Sequence, residues 1–205
     1  MTRLTRFVSA LAIAAAAMTA TAQAGTTAKS GNVEFLAGWY WPENETPVAD
    51  PDAGFTYGLR LGYNFTDRFG LQVGFQGLDT NYDLVAPLTG AADISSLMTD
   101  VSMIWHANPD SRAVFHVFGG PGYSWTSIEV PTVALPDLED DDDVFTMHLG
   151  LGASIYATDN FYIRPDIAGR WFMEDEDNAV GAGTDSDSHT DWQFTLGFGW
   201  QWGGN

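Results

Sequence analysis

The sequence predicts an all-β fold: an eight-stranded antiparallel up-and-down transmembrane β-barrel. The first observation is the stretch 192–202, in which Trp, Phe and Leu alternate without exception with Gln, Thr and Gly. A period of two indicates a β-strand with two chemically different faces. One face is mostly aromatic and the other is small, polar and uncharged. This is typical of a strand that has lipid on one side and a wet, crowded interior on the other.

The first four predicted strands carry their apolar side chains at odd-numbered positions. Residues 33–41 place Val, Phe, Ala, Trp and Trp there, and residues 55–65 show the most regular alternation in the chain. Residues 69–77 alternate Phe, Leu, Val and Phe with Gly and Gln, whereas residues 95–105 give the weakest pattern. Most of these segments are close to the roughly 9–11 residues that a tilted strand needs to cross a bilayer.

The last four predicted strands continue the pattern. Residues 113–125, 145–157 and 161–172 again have apolar side chains at odd positions, and residues 192–202 have them at even positions. Pro121 and Pro165 fall within two of these strands. Because proline lacks the N–H that a sheet ladder requires, we expect bulges or rim positions at both.

The connections between the predicted strands alternate in length, which is the second observation. Residues 66–68, 106–112 and 158–160 are short turns, and the links between them are long: 42–54, 78–94, 126–144 and 173–191. The four long links hold four, three, seven and seven acidic residues, 21 of the 27 in the chain, and no Lys or Arg. Short turns on one rim and long loops on the other are typical of outer-membrane barrels, with both termini on the periplasmic side.

The position of charge on the strands is the third observation. Only inward positions carry charged side chains, namely Glu34, Arg60, Asp100, Arg164, Asp166 and Arg170. A soluble barrel would have the opposite arrangement, with apolar side chains inside. The interior of an eight-stranded barrel is just wide enough to be filled by side chains, so we expect ion pairs across the lumen. They would form either a structural plug or a switchable gate for small ions.

Tryptophan is concentrated near the ends of the predicted strands. The outward residues concerned are Trp39, Trp41, Trp105, Trp125, Trp171, Trp200 and Trp202. Tryptophan side chains favour the two membrane–water interfaces, so the sequence predicts an interfacial aromatic belt.

Residues 1–24 have the features of a cleavable export signal. Arg3 and Arg6 precede an apolar run, and Ala22-Gln23-Ala24 is a small-residue cleavage site, which leaves 25–205 as the barrel domain. No other stretch could form a helical span. Without this leader, six Lys and Arg face 27 Asp and Glu, and there is no cysteine. So acidic a chain is expected to bind nucleic acid poorly, because phosphate contacts need Lys and Arg. The absence of cysteine excludes disulfides and thiolate metal sites.

Two groups of residues could hold a metal ion. His116 and His148 face inward on neighbouring strands, but their predicted heights in the barrel are too different for them to share an ion. Residues 139–143 and 174–177 are acidic runs whose spacing fits no EF-hand loop. A solvated acidic rim is therefore favoured over a specific calcium site. We predict no resident metal or cofactor, although divalent ions could bridge the rim diffusely to lipopolysaccharide phosphates.

The hypothesis that the protein is an enzyme has little support in the sequence. A barrel hydrolase needs a Ser, a His and an acid in one place, and the outward positions Ser95 and Thr99 have no His or acid beside them. His189 lies with Asp185, Asp187 and Ser188 in a predicted loop without an ordered partner. We therefore predict no catalytic residue and keep a lipid hydrolase as the least favoured alternative.

The chain resembles the OmpA-like family of small outer-membrane β-barrels. The resemblance is carried by residues 57–63 (YGLRLGY), 162–166 (YIRPD) and 196–202 (LGFGWQW), and it covers 25–205. It implies a protein that stabilises the envelope, acts as an adhesin or binds surface partners, and conducts ions poorly. Two features differ from the family pattern: no peptidoglycan-binding domain follows the barrel, and Gly203-Gly204-Asn205 follows the terminal aromatic Trp202.

These observations together predict an integral outer-membrane protein with a role in envelope integrity or surface interaction and no enzymatic activity. A narrow, porin-like ion channel is the alternative. The expected partners are outer-membrane lipid and lipopolysaccharide, the latter through divalent cations, and the outer-membrane assembly machinery. We expect a monomer that does not bind nucleic acid.

Overall fold

The computed structural model describes residues 25–42, 49–51, 53–84, 90–129, 139–173 and 190–204. The predicted export signal at 1–24, the acidic run 174–177 and the group around His189 lie outside these residues. Within the described part of the chain, no helix is long and apolar enough to span a membrane.

The described residues form nine β-strands, eight of which are long. The strands are β1 (Ser30–Trp41), β2 (Ala49–Pro51), β3 (Gly54–Asn64), β4 (Phe69–Leu84), β5 (Gly90–His106), β6 (Ala113–Glu129), β7 (Glu139–Tyr156), β8 (Phe161–Met173) and β9 (Thr190–Gly203). The long strands pair antiparallel in the order β4-β3-β1-β9-β8-β7-β6-β5, and β5 pairs back to β4. The barrel is therefore closed, which confirms the predicted fold class. Short β2 pairs with the far end of β4.

The register of the strands sets the width of the barrel. Starting at Ser30 on β1, the paired residues lead once around the wall and return to β1 at Tyr40, ten residues further along. The path runs through Asn64, Gly70, Ile104, Phe118, Gly150, Ala168 and Gln193. With this stagger and the usual strand spacings, the strands tilt by about 40° and the backbone wall is about 16 Å across. A lumen of this width holds side chains and little else.

Several strands are longer than the alternation of side chains predicts. β4 and β5 remain paired as far as Leu84 and Gly90, and β6 and β7 as far as Glu129 and Glu139. Backbone pairing continues here beyond the alternating segments because a hairpin ladder needs no apolar face. The long links 78–94 and 126–144 are thereby reduced to 85–89 and 130–138 between strand ends.

Apolar side chains cover the outside of the barrel and polar side chains fill its inside. Phe35 and Met103 are each 65% exposed on the outer wall, whereas Arg164 and Glu34 are 1% and 0% exposed in the interior. This is the reverse of a soluble barrel, as the sequence predicts.

Pro121 and Pro165 lie in the middle of strands without a bulge, so the expectation of bulges or rim positions is wrong. Pairing of β5 with β6 is interrupted between Asp100 and Met103 and resumes with the same offset, while Pro121 stays paired with Met147 on β7. Pro165 likewise stays paired with Leu196 on β9. Since each N–H of a strand points to only one neighbour, a missing donor affects one ladder and leaves the register intact.

Candidate functional site in the barrel interior

Four charged side chains meet near the middle of the lumen and form what we call the lower ion cluster: Glu34, Arg60, Arg164 and Asp166. The Arg60 guanidinium lies 2.8 Å from Glu34 Oε1 and 2.6 Å from Asp166 Oδ2, both from Nη1. Arg164 lies 2.9 Å from Asp166 through Nε and 3.5 Å from Glu34 through Nη1. Each charge therefore faces two of the opposite sign.

Two aromatic side chains of β6, Phe118 and His116, contact the lower ion cluster. The guanidinium carbons of Arg60 and Arg164 lie 5.4 Å and 5.1 Å from the centre of the Phe118 ring. A cation over an aromatic face is stabilised, most strongly where water is excluded. His116 Nε2 lies 2.9 Å from Asp166 Oδ1. Asp166 thus accepts from three side chains on three strands.

A second group, the upper ion cluster, lies nearer the long loops and consists of Asp100, Ser102, His148 and Arg170. Arg170 Nη2 is 3.6 Å from Asp100 Oδ2, and His148 Nε2 is 3.8 Å from Asp100 Oδ1. Gln76 Nε2 donates to the same carboxylate at 3.1 Å. The structure thus brings all six predicted charged residues together in two groups, four in one and two in the other.

The energetics of burial explain why the six charges are balanced. Removing an ion from water costs several kcal/mol, and only close partners with good geometry offset that cost. The three arginines and three acids named above leave no net charge in these two clusters. Their pairing therefore holds strands together that are far apart in sequence, such as β3 and β8.

Glycines on the paired neighbouring strands leave room for the long charged side chains. A Cβ on Gly152 would lie 2.0 Å from Asp166 Oδ1, and one on Gly197 would lie 2.6 Å from the Glu34 carboxyl carbon. Strand β9 therefore makes space for the charges of other strands, as its Gln and Gly face suggests. Because glycine has no side chain, a long charged side chain on the next strand can occupy the space beside it in this narrow barrel.

A cluster of buried, mostly apolar side chains lies towards each end of the lumen. Tyr40, Leu78 and Met98 pack together at the long-loop end, and Phe172 lies against them. At the short-turn end the corresponding group is Val114, Tyr156 and Tyr162.

Between the two ion clusters, a cavity lined by Arg60, Asp100, Asp166 and Arg170 has a volume of about 10 Å³. That is roughly the space for one water molecule. At this height the described side chains therefore fill most of the lumen.

The inward histidines do not form a metal site with acidic neighbours. The Phe118 ring lies between His116 and His148, with its centre 6.0 Å and 6.1 Å from theirs. His106, which the sequence places in a turn, is instead the buried inward end of β5, 6.0 Å from the His116 ring. The inward position of His106 could have been predicted, because it continues the even-numbered inward positions of the preceding strand. Among described residues, no group of three His or acidic side chains could hold an ion.

Ser102, His148 and Asp100 form a contact that the sequence does not reveal. His148 Nε2 is 2.8 Å from Ser102 Oγ, and Ser102 Oγ donates to Asp100 at 3.2 Å. In a catalytic triad the acid orients the imidazole through the nitrogen that does not face the serine. Here the carboxylate lies on the Nε2 side, and His148 Nδ1 has no hydrogen-bond partner among the described residues. The geometry is that of a buried polar contact.

The predicted aromatic belt lies on the outer wall at two levels. Trp39, Trp41, Trp125 and Trp171 are near the long-loop ends of their strands, and Trp105, Trp200 and Trp202 are near the short-turn ends. All seven are between 37% and 51% exposed. Trp192, at the long-loop end of β9 and 48% exposed, has the same position and was missed.

Comparison with known proteins agrees with this architecture. The barrel of OprF from Pseudomonas aeruginosa is 15% identical, covering 86% of this chain and 99% of that chain with a TM-score of 0.57. OprG from the same organism is 16% identical, covering 87% and 98% with a TM-score of 0.58. Ail of Yersinia pestis, in complex with the heparin analogue sucrose octasulfate, is 10% identical, covering 85% and 99% with a TM-score of 0.52. At such identities, these likenesses show the fold alone.

No curated protein sequence matches the chain. The family model described as "Outer membrane protein beta-barrel domain", however, matches residues 9–200, nearly the whole chain. Together with the closed barrel and its apolar outer wall, this match identifies the family. The chain belongs to the outer-membrane β-barrel domain family, whose members lie in the outer membrane.

Proposed function

We propose that this protein is a non-conducting, non-enzymatic outer-membrane barrel that supports envelope integrity or surface interactions. The observation that carries the proposal is the filled lumen, with balanced ion clusters in the middle and an apolar group at each end. An ion crossing this interior would have to displace side chains that are paired out of contact with water. Such displacement costs several kcal/mol per broken buried pair.

The charge of the long loops limits the kind of surface partner. Those links carry 21 acidic residues and no Lys or Arg, so they repel anionic glycans of the kind bound to Ail. Calcium or magnesium ions could instead bridge the loop carboxylates to lipopolysaccharide phosphates, because hard cations bind the oxygens of both groups. Cationic surface partners are the other class that fits.

The same architecture supports an orientation in the membrane. Trp200 and Trp202 would mark the periplasmic interface, and both termini would lie on that side with the short turns. The protein would be exported by the leader 1–24, inserted by the outer-membrane assembly machinery and remain a monomer. Epitope tags at the C-terminus should be protected from protease in intact cells, and tags in 130–138 should be cleaved.

A narrow channel is the second candidate, and one observation favours it. Arg60 is paired in the lower ion cluster but also lines the cavity next to Asp100. Movement of this one side chain from Glu34 and Asp166 towards Asp100 would change the pairing in both clusters. That is the switchable gate which the inward charges suggest.

Conductance in planar bilayers distinguishes the two functions. We expect the wild-type protein and Arg60→Ala to be silent, since the side-chain clusters towards both ends of the lumen do not depend on the state of the ion clusters. Discrete openings of the wild type that change in frequency in Arg60→Ala would support the channel. Heat-modifiable migration in gels checks that both proteins are folded barrels.

A further inference from the structure

We propose that residues 25–29, which we call the latch, hold the first and last barrel strands together at the short-turn end. β1 and β9 are the two ends of the chain's barrel, and their pairing is the seam that closes it. Membrane-spanning sheets leave no edge unpaired, so an opening at this seam would expose backbone groups to lipid. The latch lies where such an opening would begin, at the Ser30–Gly203 pair.

The latch binds β9 directly. Gln201 Nε2 donates to Thr27 Oγ1 at 2.8 Å and to the Gly25 carbonyl at 3.3 Å. The same side chain accepts from the Tyr156 hydroxyl at 2.9 Å. These bonds add to the backbone ladder and join residues that precede β1 to the last strand.

The latch is also hydrogen-bonded to the far side of the barrel. Thr26 N–H donates to the Pro109 carbonyl at 3.0 Å, in the turn between β5 and β6. β6 is four positions from β1 around the wall and therefore lies opposite to it. Five residues can reach about 17 Å, which matches the barrel's width of about 16 Å. The bond to Pro109 thus connects the segment that precedes β1 to the opposite wall.

Three residues have backbone or space requirements that fit this arrangement. Lys29 adopts a left-handed conformation with φ of 55°, which turns the chain from the latch into β1. Gly25 is buried, and a Cβ there would lie 2.2 Å from the Pro109 carbonyl oxygen. Gly204, at φ of 86°, would bring a Cβ to 2.5 Å from Thr27 Oγ1. The glycines after Trp202 therefore leave room for the latch.

Hydrogen exchange of the backbone amides in lipid nanodiscs tests the latch. Gln201→Leu removes the bonds from the latch to β9, and Gly25→Ala crowds the contact of the latch with Pro109 across the barrel. We expect each to speed exchange of the seam amides near Gly31–Val33. The expected increase is about fivefold or more, the effect of losing one net hydrogen bond. Gln72→Leu is the matched control, because Gln72 is 5% exposed and Gln201 3%, but Gln72 lies on β4 away from the seam.

The outcomes separate the latch from simpler explanations. An effect of Gln201→Leu without one of Gly25→Ala would mean that Gln201 acts locally, and it would overturn the latch. Equal effects of Gln201→Leu and Gln72→Leu would also overturn it, since any buried glutamine would then matter. If either variant fails to fold, Thr27→Val removes only the Oγ1 acceptor and should still accelerate seam exchange; unchanged exchange in that folded variant contradicts the proposal.

Discussion

Asp166→Asn is the sharpest test of the filled interior. The substitution keeps the shape of the side chain but removes the negative charge that faces Arg60 at 2.6 Å and Arg164 at 2.9 Å. Glu34 alone would then face two buried arginines. Removing one partner of a buried ion pair costs about 3–5 kcal/mol, because the remaining charge is uncompensated.

Urea unfolding in lipid vesicles, followed by tryptophan fluorescence, measures this loss. For a slope of about 2 kcal/mol per molar urea, the midpoint should fall by about 1.5–2.5 M. Asp159→Asn is the control, since Asp159 is exposed in the turn between β7 and β8, and it should change stability by less than about 0.5 kcal/mol.

The double variant Asp166→Asn with Arg164→Met restores the charge balance and should recover part of the loss. A urea midpoint for Asp166→Asn within about 0.5 M of the wild-type value would contradict the prediction. It would mean that water reaches these charges and that the lumen is not filled.

Further predictions use the same unfolding measurement. Gly152→Ala should destabilise the barrel by about 1–3 kcal/mol, because the new methyl group would overlap the Asp166 carboxylate. Gly169→Ala should be neutral, since the nearest atoms would lie 3.8 Å from its Cβ; equal losses in both variants would contradict the packing argument. Phe118→Leu should cost about 2–3 kcal/mol through lost contacts with two guanidinium groups and lost packing. A loss below about 1 kcal/mol would show that the ring contributes little.

Much of the fold could be predicted because its signals are local. Alternation with a period of two decides which face of a strand each side chain occupies, so the inward charges and the outward tryptophans were visible residue by residue. The ends of the strands were harder to predict than their faces. The hairpin from Phe69–Leu84 to Gly90–His106 continues beyond the alternating segments, and so both its length and the inward position of His106 were missed.

The prolines show a second limit of sequence reasoning. Pro121 lacks a donor wherever it lies, but whether that breaks a sheet depends on which neighbour its N–H would have faced. The pairing with β7 is intact and only the ladder to β5 is interrupted. Only the position of β6 between those two strands decides this.

The pattern of residues along the chain was enough to predict the class of the protein: eight strands, an apolar wall, polar contents, acidic long loops and short turns. Which inward side chains contact one another depends on the folded barrel. Asp166 contacts Arg60 from 106 residues away, and Gln201 contacts Thr27 from 174 residues away. The direction of a side chain follows from the local period of its strand. The distance across a lumen follows from register and closure, which involve all eight strands at once.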